Sequence, residues 1–340
     1  MTTTVSNLET EHLPDPTGHP DETAKVAGKS PTRLAVERFR KDKLSMIAFV
    51  IVALYLLAAL AAPFLVKFGV LDPFTLHNSG EGNLLDENTL PAGKWGGMSW
   101  DHPLGVEPGA GRDALSRMWY GITFSLVIAM LATLVALVLG VVLGIIAGFS
   151  RGWLDMIIGR VIDLTLAFPQ TLMLLALSYT AVAFLVEYVH IPAGNLAQGA
   201  YVVLVLGIFG WPSIARIIRG QVLTIREREF VDAAVLLGAS KGRIYFKEIL
   251  PNLWAPVLVS FTLFMPAAIS AEAALSYLGV SIKPPTPTLG NVLRDALQYA
   301  HASEAFIYFF APAFLICIIV VSFNLLGDGI RDALDPKSSR

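Results

Sequence analysis

The chain has 340 residues, 54% of them hydrophobic and 15% charged, with a formal net charge of −2; soluble chains carry about 25% charged residues. The mean hydropathy of +0.61 and this composition exclude a disordered protein, a nucleic-acid binder and an ordinary cytosolic enzyme. A single cysteine, Cys317 inside an apolar run, excludes an internal disulfide and a cysteine-based metal centre.

Residues 1–43 are polar, rich in Pro, Thr, Glu and Gly, without apolar periodicity. They predict a disordered tail whose last part crowds Arg33, Arg38, Arg40, Lys41 and Lys43 at a membrane edge. The tail lacks the basic-then-apolar order of a cleaved signal peptide, so residues 44–66 are expected to be an uncleaved first transmembrane helix. Ser45–Val66 carries no charged residue over 22 positions, and a hydrocarbon core of about 30 Å needs roughly 20 helical residues. Residues 67–121 form the next loop, lengthened by an insertion-like stretch at Asn83–Trp100.

Residues 122–330 hold five further apolar blocks: Ile122–Phe149, Ile157–Val186, Ala200–Ala215, Leu253–Ala271 and Ala305–Gly327. Only Ile157–Val186 contains formal charges, Arg160 and Asp163, three apart on one helical face and expected to pair with each other. Pro169, Pro212, Pro256, Pro266 and Pro312 are read as kinks in membrane helices. Gly140, Gly144 and Gly148 recur every four residues and predict close packing within the subunit. Residues 331–340 form a C-terminal tail. The fold class is therefore all-α, an integral membrane protein with six transmembrane helices.

Basic residues set the orientation. With the N-terminus inside, 19 of the 25 Lys and Arg residues fall on the inner side and 6 on the outer. The positive-inside rule then puts both termini in the cytoplasm, and the expected localisation is the cytoplasmic membrane, with its lipids as solvent.

The inner loop between the fourth and fifth blocks runs EFVDAAVLLGASKGRIYFKEILPN from Glu229 to Asn252. Phe230, Ala233, Ala234 and Leu237 share a helical face. Glu229 and Asp232 suit the first turn, Gly238 the left-handed position after the last. Ser240 can cap a second short helix, ended by Pro251. The residues alone allow a membrane-surface helix or a docking helix for a soluble partner. Glu272, at the outer end of the fifth block, either caps or pairs in a turn or lines a solute path. His102, His190 and His301 have no ligand spacing, so no metal site is expected, and Arg112 with Asp113 is read as fixing the outer loop.

Three stretches resemble one family. Asp232-Ala233-Ala234, Gly238 and Leu250-Pro251 occupy the places of the EAA loop of ABC-importer permeases, with Asp232 where the pattern has Glu. HPLGVEPGAGRDALSRMWYG (His102–Gly121) and EAALSYLGVSIKPPTPTLGNVL (Glu272–Leu293) resemble the signatures of the C-type permeases of dipeptide, oligopeptide and nickel importers. The resemblance implies a type I ABC importer permease fold with a cytoplasmic EAA coupling helix formed by Glu229, Phe230, Asp232, Ala233, Ala234, Leu237 and Gly238, with Leu250 and Pro251 behind it. It implies a second homologous permease, two cytoplasmic ATP-binding subunits and an extracytoplasmic peptide-binding protein as partners, and no nucleic acid. The chain carries no G-x-x-x-x-G-K-[ST] loop. It is therefore expected to be non-catalytic and to bind no cofactor, with ATP and Mg on the partner subunits. Glu272 is the candidate on the substrate path. A permease for nickel chelates or another small solute, and an ion-coupled secondary transporter, are the alternative readings.

Overall fold

The computed structural model describes residues 31–334 apart from Lys94 and Arg151. The expected disordered tail before Pro31 and the last residues after Leu334 lie outside the described residues.

The basic segment expected at the membrane edge is helical. Pro31–Lys41 is a helix, α1, followed at once by α2, Lys43–Lys67. Pro31 suits a first helical turn, Arg33 and Glu37 meet at 3.5 Å one turn apart, and Phe39 packs into the membrane core cluster. Asp42 separates the two helices. Its carboxylate caps α2 by accepting from the backbone N–H groups of Leu44 (3.2 Å) and Ser45 (3.3 Å) and from the Ser45 hydroxyl. That hydroxyl bond holds the Asp42 carboxyl below its ordinary range.

The next helix, α3, spans Ala114–Phe149, starting eight residues before the apolar block does. Asp113 caps it by accepting from the N–H of Ser116 at 2.7 Å, and Arg117, whose charge hides this first turn from an apolar-run criterion, is buried and paired.

The third block is not one helix. It divides into α4, Trp153–Ala167, and α5, Gln170–Glu187. Pro169 contributes no N–H and forces the residue before it out of the helical region; Phe168 is extended, at φ −81° and ψ 133°. Helix α6 covers Asn195–Ile225, with Pro212 inside it, and α7 covers Glu229–Leu236. The short α8, Lys241–Arg243, runs on through a π-helical stretch at Ile244–Ile249 and a 3-10 turn at Leu250–Leu253 into α9, Trp254–Tyr277. Pro251 therefore does not end a helix, as the sequence suggested. The widened π register takes up the proline, and the Asn252 side chain donates to the Glu248 carbonyl at 2.6 Å. Helix α10 spans Leu289–Leu297 and α11 spans Phe306–Leu334.

Six of these helices are long and apolar enough to cross a membrane: α2, α3, α5, α6, the continuous Lys241–Tyr277 helix that ends in α9, and Ser303–Leu334 containing α11. Among the described residues the only β pairing is two isolated bridges, Leu85 with Pro91 and Val106 with Asp113, in the loop between α2 and α3. Spans α2, α3, α9 and α11 share one buried cluster; α3, α5, α6 and α9 share a second.

Helices α3 and α6 meet along the glycine stripe. A Cβ at Gly140 would lie 2.7 Å from Ile214, one at Gly144 2.9 Å from the Ala215 carbonyl oxygen and Ile218, and one at Gly148 2.7 Å from Val222. Small residues let backbones approach this closely inside a membrane. The packing is internal, as the spacing predicted.

Gly144→Leu should overpack this seam and lower the thermal unfolding midpoint of the detergent-solubilised protein, at a cost of about 1–3 kcal/mol. Gly159→Ala is the contrast: it lies in α4 with nothing within 4 Å of the added carbon, and should leave the midpoint unchanged or raise it. Equal midpoints for the two variants would exclude the seam as a close contact.

Candidate functional site

Helix α7 begins at Arg228, extended at φ −90° and ψ 143°, with Glu229 and Asp232 in its first turn. Its end is a Schellman arrangement: the Gly238 N–H donates to the Val235 carbonyl and the Ala239 N–H to the Ala234 carbonyl, both at 3.0 Å. Gly238 has φ +74°, with open space around it. The constraint on that residue is backbone conformation, as expected. Ser240 caps the following turn by accepting from the Arg243 N–H at 3.4 Å.

The helix packs on the Ile244–Ile249 stretch, which in turn meets the end of α3. Val231 is buried beside Val222, Ile244 and Ile249, with Ala234, Ala239 and Leu250 packed against the same cluster. Phe149 at the end of α3 meets Tyr245 edge to face at 5.3 Å. Arg226 donates to the Gly148 carbonyl at 3.0 Å.

This seating rotates the outward face from the one the sequence suggested. Ala234 is half-buried and faces its own chain; Phe230, Asp232, Ala233, Leu236 and Leu237 face outward. Leu236 and Leu237 are 86% and 87% exposed. Two adjacent leucines left this bare form an unpartnered apolar surface on a short, fixed helix. Leu236 was missed because α7 is apolar nearly all round; Val231, its most buried residue, identifies the inner face. Glu229 lies at the exposed start, Leu250 is half-buried, and Pro251 is exposed behind the helix.

Beside this surface, α4 is tied to α6 by two ion pairs. Arg219 donates to both oxygens of Asp155 (2.6 and 2.9 Å), and Arg216 to Asp163 at 2.9 Å. Asp163 thus pairs across helices rather than with Arg160. The Arg219 guanidinium holds the Asp155 carboxyl below its ordinary range.

At the opposite end, Glu272 is fully buried. Its carboxylate accepts from the hydroxyls of Ser125 on α3 (2.8 Å), Ser276 on α9 (2.7 Å) and Ser281 in the following loop (3.2 Å). Ser276 also meets the hydroxyl of Thr288, and Thr288 and Asn291 form a capping box at the start of α10. Glu272 therefore fastens α3, α9 and α10 together. Nearby, Arg112 donates to Glu107 (2.5 and 2.9 Å), the buried Arg117 lies 3.2 Å from the same carboxylate, and His102 bonds to Asp113 at 3.0 Å. Arg112 and Asp113 fix the outer loop, as expected. Glu107 and Arg117 were missed; the five-residue spacing of Glu107 and Arg112 was the available signal.

Six helices long and apolar enough to cross a membrane, with a bare apolar helix packed at one end, make this an all-α integral membrane protein. A chain of the MetNI methionine ABC transporter in an inward-facing conformation superposes with a TM-score of 0.51 at 20% identity, covering 65% of this chain and 97% of that one; the architecture is that of a type I ABC importer permease. The profile described as "Binding-protein-dependent transport system inner membrane component" matches residues 140–340, and the "N-terminal TM domain of oligopeptide transport permease C" matches residues 30–80. The dipeptide transport system permease protein DppC of Alkalihalophilus pseudofirmus is 35% identical over 335 residues, 97% of this chain and 99% of that one. The oligopeptide transport system permease protein OppC of Bacillus subtilis is 34% identical over 89% and 88% of the two chains, and the glutathione transport system permease protein GsiD of Escherichia coli O157:H7 34% identical over 88% of each. The chain belongs to the family of binding-protein-dependent transport system inner membrane components, as a multi-pass ABC importer permease. The secondary-transporter alternative is not favoured.

Glu272→Ala should strand three buried hydroxyls and leave a cavity, lowering stability by about 3 kcal/mol, with Glu272→Gln costing less because one acceptor remains. Thermal unfolding with limited proteolysis of the 278–288 loop reads both. A Glu272→Ala protein as stable and as protease-resistant as the parent would remove Glu272 from its fastening role.

Proposed function

We propose that this permease imports peptides, forming the translocation path with a second homologous permease and taking cargo from an extracytoplasmic binding protein. Three relatives named for dipeptide, oligopeptide and glutathione transport, all one chemistry, support the cargo class. Two ATP-binding subunits at the cytoplasmic side hydrolyse ATP with Mg, and this chain carries out no catalysis. The basic-residue count of 19 to 6 supports a cytoplasmic location for α7 and for both termini.

The observation that carries the coupling role is the bareness of Leu236 and Leu237 on a helix whose other side is packed on the Ile244–Ile249 stretch. Phe230, Asp232, Ala233, Leu236 and Leu237 seat in an apolar groove of an ATPase. The Gly238 turn fixes the helix end, and the α3–α6 pair receives the movement when the ATPases close.

Leu237→Asp places an unpaired carboxylate on that face, and should weaken ATPase association by about 2 kcal/mol, some thirtyfold in affinity. Gly238→Val should uncouple hydrolysis from uptake by straining the left-handed turn. Lys241→Gln, beyond the helix, should be nearly silent. Full uptake and normal ATPase binding by Leu237→Asp would sink the docking assignment.

Orientation is tested with single cysteines in a Cys317→Ser background. Ser79→Cys and Ala193→Cys should react with an impermeant thiol reagent on intact cells, and Lys241→Cys only after the membrane is opened. Labelling of Lys241→Cys in sealed cells would reverse the topology.

A further inference from the structure

Helix α5 stands apart from the other spans. Only 11% of its most apolar stretch is buried within the chain, against 28% to 56% for the other five. A span so bare faces either lipid or a water-filled space shared with another subunit. A cavity of about 480 Å3 lies on its flank, between the outer half of α5, the start of α6 and the loop after α9. Its charged lining lies at one end of the bundle, where Glu187 ends α5 and Lys283 lies in the loop between α9 and α10. The cavity is lined by the Glu187 carboxylate, the Lys283 ammonium and the Gln198 amide, with Val182 and Val186 as an apolar wall and the exposed ring of Tyr179. The recess has the chemistry of an aqueous path.

The cavity is also built. Asn195, at the first turn of α6, accepts from the backbone N–H of Lys283 (3.0 Å), donates to its carbonyl (3.1 Å) and donates to the hydroxyl of Thr286 (2.9 Å). Both backbone groups of Lys283 are thereby clamped, so the ammonium is presented from a fixed point. Gln198, one turn further along α6, satisfies both ends of its amide by donating to the Ser281 carbonyl (3.1 Å) and accepting from Lys283 Nζ (3.3 Å). Glu187, in contrast, makes no hydrogen bond or ion pair among the described residues. An unengaged carboxylate and a positioned ammonium border one recess with an apolar wall between them.

A molecule complementary to that arrangement carries a cation at one end, an anion at the other and an apolar or aromatic body. We infer that this cavity is a relay site for the two termini of a short zwitterionic peptide, with Glu187 receiving the α-ammonium and Lys283 the α-carboxylate, and Tyr179 and the valines contacting the side chains. The inference rests on the peptide-importer reading above and adds to it the groups by which the permease itself distinguishes free from blocked peptide ends.

The test uses the complete importer, with both permeases, both ATPases and saturating loaded binding protein, reconstituted in proteoliposomes. Uptake of alanyl-phenylalanine is compared with that of its N-acetylated and C-amidated forms. Glu187→Gln should reduce the preference for a free over an acetylated N-terminus about tenfold, the size expected for one charge-assisted contact, and leave the preference for a free C-terminus intact. Lys283→Gln should do the reverse. Because the binding protein is the same throughout, a change in ratio between variants belongs to this chain. Should either variant abolish uptake altogether, Glu187→Asp and Lys283→Arg decide: recovery of uptake with parental ratios supports the relay, and failure to recover overturns it. Parental ratios in both Gln variants overturn it as well. So does restoration of parental selectivity by the exchanged pair Glu187→Lys with Lys283→Glu, since that is the behaviour of two residues that serve only each other. Failure of the peptide reading itself looks different: the unmodified importer then takes up none of the three compounds.

Discussion

The close approach of α3 and α6 governs the rest of this structure. Inside a bilayer the surrounding solvent is as apolar as a leucine side chain, so helices gain little from hiding apolar surface and associate through packing contact instead. Gly140, Gly144 and Gly148 remove the side chains that would hold the two backbones apart. Gly207 does the same from the α6 side against Val135, and Gly210 makes room for the ring of Phe264 on α9. The pair is then continued into polar contacts at both ends. Arg226 bonds to the Gly148 carbonyl beneath α7, and α3 delivers Ser125 to Glu272 near its opposite end. The Ile244–Ile249 stretch beneath α7 meets this pair at Phe149, so one packed frame joins it to the loop cluster at the other end.

That opposite end is unusually polar for the flank of a membrane bundle. Removing Glu272 and Arg117 from water costs several kcal/mol for each ion unless partners offset it. Three hydroxyls surround Glu272, while Glu107 at 3.2 Å and Asp295 at 3.9 Å flank Arg117. Each arrangement joins segments far apart in sequence, Ser125 with Glu272 and Glu107 with Arg117 and Asp295. Deleting one member leaves an uncompensated group behind, which makes such clusters better at holding one geometry than at raising stability. Helix α5 has no comparable fastening. The Tyr201 hydroxyl bonds to its Leu174 carbonyl at 2.5 Å, and its remaining surface is largely bare.

The six apolar blocks, the glycine stripe, the left-handed turn at Gly238 and the Ser240 cap were legible because each is a local rule with a strong signature. What the sequence concealed was decided by packing. Pro212, Pro266 and Pro312 sit buried in continuous helices and the exposed Pro63 lies inside α2 without breaking it, whereas at Pro169 the helix breaks. Apolarity alone could not orient α7, because Val231 and Ala234 on one side and Ala233, Leu236 and Leu237 on the other are all compatible with burial. The first turns of α3 were hidden by Arg117, since a buried, paired cation looks in sequence like the end of an apolar run. Glu272 offered two readings until Ser125, 147 positions away, was seen to donate to it.

The size of the bare surface on α7 bears on what the helix can do once docked. Burying a leucine side chain completely is worth about 1.5–3 kcal/mol, so Leu236 and Leu237 together supply about 3–6 kcal/mol, with a smaller part from the 42% exposed Phe230. Association of two proteins costs about 4–15 kcal/mol in lost translational and rotational freedom. One such helix therefore does not hold an ATPase subunit unaided. In a complex with two permeases and two ATPases the remaining contacts restrict that freedom, and the leucines then act at high effective concentration. Under those conditions an apolar contact of a few kcal/mol suits a lever better than an anchor. In the docking proposed above, such a contact follows a moving groove, passes the motion through Tyr245 to Phe149 of α3, and resets when the groove reopens.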